Sequence, residues 1–558
     1  MRNMVGSAFT RWLSVPPGRA ASVAIFLDVE HTHLFVPRHR AVHGKSVDVT
    51  DEAVETGLKI RRAIRHKWMY TEDSPRIGRA TLVWVGSRGK GVAMRINHLI
   101  TILVLLAVGL LPSPAQAGGV VTVCDEAHLL AALAGGGTVT FACSGVITLT
   151  NTIMIAADTT IDGSGQDVTI SGNDAVRVLA VNSGVTFNLN ALTIAHGAVG
   201  DYEAGGGISM RDGTLTVSNS TFAGNSAHGG GGIYKAGGAA TLTNSTFSGN
   251  YASQYVTSAS TGGGILNDGG TLDVSDCVFS GNGAYGGAGA IDNRGALTVS
   301  ASTFSGNYAS SGRSTGGGGI GNGGMATVSN STFSGNSASG TYSAAGGGIY
   351  NYGTLSVSNS TFSDNRASAY WGGGGGGIEN DGGRLAVSNS TFSGNSATSN
   401  ELVGSIGGGI RNVDGTLTVS NSSLSGNSAT YGSGIWNSGT ATLTNTIVAD
   451  NRPGENCRGN PISDGGGNLS YPDTTCPGTN ADPLLGPLQM NGGPTLTMDP
   501  GPGSAAIDAG DDAICAAAPV NNLDQRGFTR PVGAHCDIGA VEVNYLPWRK
   551  WLPIMFAQ

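Results

Sequence analysis

Five acidic residues, Asp268, Asp292, Glu379, Asp381 and Asp414, each follow a short glycine-and-isoleucine segment at nearly the same place. Acids that recur at one place can do two kinds of chemistry. Two carboxyl groups at a suitable separation can hydrolyse a glycosidic bond. Several carboxylate oxygens together can bind Ca²⁺, for which Asp268, Asp292, Asp381 and Asp414 are the candidates. The simpler reading is a solvated turn, where Asp and Asn are ordinary. A lyase would also need a base beside its acids. After Arg95 the chain has two lysines, Lys235 and Lys550, and the arginines Arg211, Arg294, Arg313, Arg366, Arg384 and Arg411 look scattered, forming no acid-and-base group. His128, His196, His228 and His535 are isolated, and no Cys/His spacing suggests zinc. The glycine run 372–377 is followed by no Lys-Ser/Thr pair, so it is no phosphate loop. No catalytic residue and no cofactor is assigned, Ca²⁺ being the one ion considered.

The cysteines suggest three local pairs: Cys124 with Cys143, Cys457 with Cys476, and Cys515 with Cys536, leaving Cys277 over. Free buried thiols are the alternative. Pairing would fit an exported protein.

Those residues are positioned by a repeat. A unit such as GGGIYNYGTLSVSNSTFSDN (residues 346–365) recurs along 205–451. Its phenylalanine returns at Phe222, Phe247, Phe279, Phe304, Phe333, Phe362 and Phe392, with Leu424 and Val448 then in its place, at intervals of 24 to 32 residues. Each copy holds three strand signals: the Ile segment, an alternating run such as Thr354–Ser358, and a Ser-Thr-Phe segment. Asn359 between the second and third, and Asn365 after the third, suit left-handed bends. One coil cannot bury its apolar side, but coils stacked about 4.8 Å apart can. The fold class expected is all-β: a right-handed parallel β-helix of about a dozen coils, with Phe, Ile and Asn in ladders. Unequal intervals place insertions between the Asn and the glycine run, for example 397–407, projecting from one side. Residues 145–195 supply roughly three further coils. Asp125–Leu133 reads as a short capping helix with Asp125 as N-cap.

The chain divides by composition. Residues 1–93 hold 15 of the 30 basic residues, whereas 118–558 hold 14 basic and 30 acidic residues, a balance of −16. An acidic chain of this kind is not expected to bind nucleic acid through a basic patch. Residues 94–117 read as an export signal, with Arg95, the apolar core Leu99–Leu111 and Ala115-Gln116-Ala117 as cleavage site. Residues 1–93 then read as a miscalled or disordered extension, and a cytoplasmic extension with a membrane anchor is the alternative. The further divisions are a cap at 118–144, coils at 145–451, a Cys/Pro/Gly-rich module at 452–544 and a sorting tail at 545–558. The Asn-Ser-Thr triplets at Asn219, Asn244, Asn330, Asn359 and Asn389 match glycosylation sequons, but their constant place in the unit makes bends the better reading.

Gly-Gly-Ile alternating with Phe-x-x-Asn, as in Gly231–Ile233 with Phe247–Asn250 and Gly263–Ile265 with Phe279–Asn282, resembles the repeats of the polymorphic outer membrane proteins. That resemblance implies a pectin-lyase-like β-helix at a cell surface, often adhesive. Gly503–Gly510, Asp524–Gly527 and Cys536–Glu542 resemble the choice-of-anchor module of secreted bacterial β-helix proteins, which implies surface attachment. The 110 residues after Val448 leave no room for the β-barrel of an autotransporter. The expected function is a non-catalytic, adhesin-like or structural surface rod, secreted, cell-surface or outer-membrane, with glycans or other surface proteins as partners and membrane contact only through export or anchoring. Tyr251, Tyr255, Tyr285, Tyr308, Tyr342, Tyr370 and Trp371 in or near the insertions could stack on sugar rings. The alternative is an extracellular polysaccharide lyase or glycoside hydrolase.

Overall fold

Each 24- to 32-residue repeat folds into one coil because it offers three short extended runs separated by residues that tolerate left-handed backbone. The computed structural model describes residues 118–200, 202–253, 261–311, 314–400 and 404–543. The extension 1–93, the export signal 94–117, the tail 545–558, Tyr255 and Arg313 lie outside the described residues.

The protein is an all-β parallel β-helix. Three long parallel sheets wrap a common core and contain 14, 12 and 14 strands. The first holds the alternating runs, such as Thr354–Ser358. The second, called here the isoleucine sheet, holds strands such as Ile349–Asn351. The third, the phenylalanine sheet, holds strands such as Thr361–Ser363. In the first sheet Leu355 and Val357 turn inward while Thr354, Ser356 and Ser358 face out. Register is in phase throughout: Phe333 pairs with Phe362, Ile349 with Ile378, and Val357 with Val387. A one-residue slip would turn the apolar set outward, so burial fixes the register.

Six successive phenylalanine pairs stack with ring centroids 4.6–4.8 Å apart and planes within 8° of parallel. Isolated aromatic pairs prefer offset or edge contacts. Here the coil spacing imposes parallel faces, and each ring is wholly removed from water, which contributes about 2 kcal/mol.

Two asparagine ladders satisfy the polar backbone at the corners. Asn336 Nδ2 donates to Phe304 O and to Asn365 Oδ1, and its own Oδ1 accepts from Asn307 N and Nδ2. The second ladder runs along the inner side of the isoleucine sheet, from Asn267 to Asn437. Lys235 occupies its first rung. It is fully buried, and Nζ donates to Gly237 O, Asn267 Oδ1 and Gly269 O at 2.7–3.0 Å. The bends divide differently from expectation. Asn219, Asn244, Asn330, Asn359 and Asn389 are left-handed (φ 44° to 50°). Asn365 is instead a ladder rung with no left-handed angle, and the residue before it, Asp364 (φ 56°), makes the bend.

The ladders extend past 145–451 in both directions. The cap region contributes Gly118–Val121 and Gly137–Phe141 to the first sheet. Between them lies the helix Glu126–Leu133, whose N-cap Asp125 accepts from His128 N at 2.8 Å. Residues 457–480 add final strands to all three sheets. Disulfides join Cys124 to Cys143, Cys457 to Cys476 and Cys515 to Cys536, and Cys277 is a buried thiol. The insertions form two smaller parallel sheets, of seven and three strands, between the phenylalanine and isoleucine sheets.

Residues 481–543 fold back along the rod. They cover the outer face of the phenylalanine sheet along its later coils, from Thr361 onward, with Gln525 receiving Thr391 Oγ1 at 2.6 Å, Leu523 O receiving Asn389 Nδ2 at 2.9 Å and Gly539 N donating to Asn445 O at 2.8 Å. This module has a charged interior: Arg526 pairs with Asp524 at 2.7 Å, and Arg530 is fully buried.

Candidate functional site

The outer face of the isoleucine sheet carries most of the unusual side chains. In each strand the Ile and the residue two later point inward, so the residues one and three after the Ile point out. In-phase pairing turns the first outward position into the row Asp292, Gly321, Tyr350, Glu379, Arg411, Trp436, Arg458. The second outward position holds Arg211 and Asp268 in earlier coils and Asp381 further along.

Two of the arginines, Arg294 and Arg411, stand beside acids on this face. Arg411 Nη1 donates to Glu379 Oε1 at 2.8 Å from the next coil. Its guanidinium also lies 5.6 Å from the Trp436 ring. Arg294 reaches both Asp268 and Asp292 at 3.3 Å. The sequence carried this signal. Ile378-Glu379 and Ile410-Arg411 stand at equal places in neighbouring repeats, so aligning the units on their isoleucines pairs the two side chains.

The cation candidates do not converge. Asp268 and Asp292 share Arg294, Asp381 Oδ2 accepts from the Tyr350 hydroxyl at 2.9 Å, and Asp414 sits in a left-handed bend beside Ser438. Among the described residues no three His, Cys, Asp or Glu side chains are grouped so as to hold a metal ion. The acidic strip expected from the sequence is interrupted in the row by Tyr350 and Arg411.

Among the described residues, two clefts on this face are lined by charged and aromatic side chains. One, of about 460 Å³, is lined by Arg177, Glu203, Arg211, His228, Tyr234 and Asp268 among others. The other, of about 380 Å³, lies between the face and the short strands of the three-stranded sheet, Ser314–Gly316 and Ser343–Ala345. Its lining includes Thr315, Tyr350, Glu379, Asp381 and Arg411. One wall leaves no room for a side chain at Gly316, where a Cβ would fall 2.6 Å from the Tyr350 ring.

The electrostatics of this second cleft are unusual. Glu379 is 3% exposed. Burial pushes its carboxyl up to about 7; Arg411 opposes the shift, and Asp381 adds to it. Burial and the Asp381 carboxylate raise the Tyr350 phenol. Three buried polar atoms in the lining lack a hydrogen-bond partner: Glu379 Oε2, Arg411 Nε and Thr315 Oγ1. Each such atom costs about 1–3 kcal/mol, so their grouping marks a place where stability has been given up.

The aromatic residues of the insertions are dispersed. Tyr251 and Tyr308 lie 6.4 Å apart, Tyr370 and Trp371 meet edge to face at 5.3 Å, and Tyr342 is exposed. None of these lines either cleft on the isoleucine sheet.

No protein-family model matches the chain, and no curated protein matches it.

Proposed function

We propose that the protein is a secreted or cell-surface β-helix with a non-catalytic, adhesin-like role in contacting glycans. One observation carries the reading: aromatic and ion-paired side chains gather on one face of a rod whose other strands present mainly Ser and Thr. A planar face of rings beside hydrogen-bonding groups suits sugar rings, which offer apolar faces and hydroxyl edges. The three disulfides fit an oxidising compartment. The likeness of the repeats to polymorphic outer membrane proteins, and of residues 503–542 to a choice-of-anchor module, supports a cell-surface setting. The test is retention of the purified chain on an array of polysaccharides and surface glycans. Retention without turnover is the expected result; no retention on any glycan would refute the reading.

A second reading is favoured by Glu379 and Asp381. They stand two residues apart on one strand and face the same way, about 6.6 Å apart at the backbone. A protonated Glu379 as acid and Asp381 as base would be the two carboxyls of a glycoside hydrolase. Release of reducing ends by the wild type, abolished in both Glu379→Gln and Asp381→Asn, would establish this reading in place of the first.

A further inference from the structure

Polar atoms buried without partners are the feature of this molecule that the fold does not explain. Most side-chain polar groups in the interior belong to ladders, where every rung is bonded to the next. Of the ten unpartnered atoms among the described residues, three line the smaller cleft: Glu379 Oε2, Arg411 Nε and Thr315 Oγ1. They come from three different segments: Thr315 from the three-stranded sheet, and Glu379 and Arg411 from adjacent strands of the isoleucine sheet. All three side chains line the same space.

The chemistry of the set defines what would complete it. Glu379 Oε2 accepts, Arg411 Nε–H donates, and the Thr315 hydroxyl does both. Two neighbouring hydroxyl groups present a donor and an acceptor side by side, which matches this set. The charges of Glu379 and Arg411 offset each other across their 2.8 Å contact. Asp381 then leaves a negative excess that disfavours a carboxylate or sulfate. Tyr350 and Trp436 flank the pair along the row, one rung to either side. A volume of about 380 Å³ stands at the lower end for small-ligand sites, about 300–1,000 Å³, which suits one ring and not several.

We propose that the Thr315–Glu379–Arg411 cleft is a subsite for a single uncharged pyranose ring of a glycan, held through two adjacent ring hydroxyls. This rests on the glycan-contact reading and adds to it the place and the sugar class. Glu379 and Arg411 take the two hydroxyls, Thr315 closes the third side, and Tyr350 supplies an aromatic wall.

The experiment uses the full chain and a panel of methyl glycosides of glucose, galactose, mannose and N-acetylglucosamine, with methyl glucuronide as the charged comparison. Binding is read by saturation-transfer NMR and titration calorimetry. At least one neutral glycoside is expected to bind, and to bind at least about tenfold more weakly in Thr315→Val and in Glu379→Gln, a change of about 1.4 kcal/mol. Asp414→Asn, outside the cleft, should bind as the wild type does. Circular dichroism of Thr315→Val, which removes only a hydroxyl, controls for folding. The glucuronide should bind more weakly than the glucoside, and equal or tighter binding overturns the uncharged class. The subsite is overturned if no neutral glycoside binds, or if both variants bind as well as the wild type. If the chain and both variants are retained equally on a glycan array, the subsite falls and glycan contact stands. If no glycan retains the wild type, both fall.

Discussion

Replacing Asn336 by Ala should test whether the asparagine ladders, and not only the apolar stack, hold the coils together. The Asn336 side chain is fully buried and makes four hydrogen bonds of 2.9–3.0 Å, two given and two received. Each is worth about 1 kcal/mol net. The variant also strands the backbone N–H and one amide hydrogen of Asn307 in the interior, so the loss should reach about 4–6 kcal/mol. The proper comparison is Asn330→Gly in the same coil. Asn330 occupies a left-handed bend at φ 49°, which glycine adopts without strain, so a change within about 0.5 kcal/mol is expected. Urea titration followed by far-ultraviolet circular dichroism measures both. In a stacked-coil protein one weakened interface can open alone, so protease sensitivity around residues 307–365 should be followed in parallel. A loss below about 1.5 kcal/mol for Asn336→Ala, or equal losses in the two variants, would refute the ladder as a principal source of stability.

Three further outcomes are expected. Glu379 has a folded-state pKa raised to about 7 from 4.5, so its stabilising contribution is complete below about pH 4.5 and is lost as pH rises through 7. The span is at most about 3 kcal/mol, and Glu379→Gln should flatten that part of the stability–pH curve; an unchanged curve would show that Glu379 does not titrate there. Cys277 stands in a ladder of serines whose hydroxyls donate to the carbonyl two residues earlier, as Ser302 does to Ser300 O at 2.7 Å, while its own thiol is 3.1 Å from Ser275 O. Cys277→Ser should raise stability by about 0.5–1.5 kcal/mol in denaturant titration, and the native thiol, pushed by burial up to about 11, should resist thiol-reactive dyes at pH 8. Removing the Cys515–Cys536 disulfide, which closes a separation of 21 residues, should cost about 3 kcal/mol; limited proteolysis should then cut within 481–543 before the coils, and simultaneous loss of both would show that the module and the rod unfold as one.

Much of this architecture was legible in residue order because a solenoid is assembled from neighbours. The phenylalanine spacing alone sets which rings stack, and the alternation in Thr354–Ser358 sets which side faces the core. Asp125 is read as an N-cap from its type and place, and its carboxylate does accept from His128 N. The ends were harder. Residues 457–480 lack the phenylalanine unit, yet they continue the sheets, because an open stack of strands offers unpaired backbone groups that any extended segment can satisfy.

What the sequence determined by itself is the coil: strand lengths, bends, core positions and the in-phase ladders, all of which follow from a period and from the steric preferences of Gly and Asn. What only the tertiary structure decided is which outward side chains face an enclosed space. Glu379 and Arg411 could be paired by aligning repeats, but their burial depends on strands 314–316 and 343–345, which arise from insertions with no fixed period. The return of residues 481–543 along the phenylalanine sheet was likewise invisible, since it joins positions as far apart as Asn389 and Leu523, 134 residues along the chain. Local pattern encodes contacts between successive coils, whereas the cleft and the returning module are made by segments whose meeting depends on the completed stack.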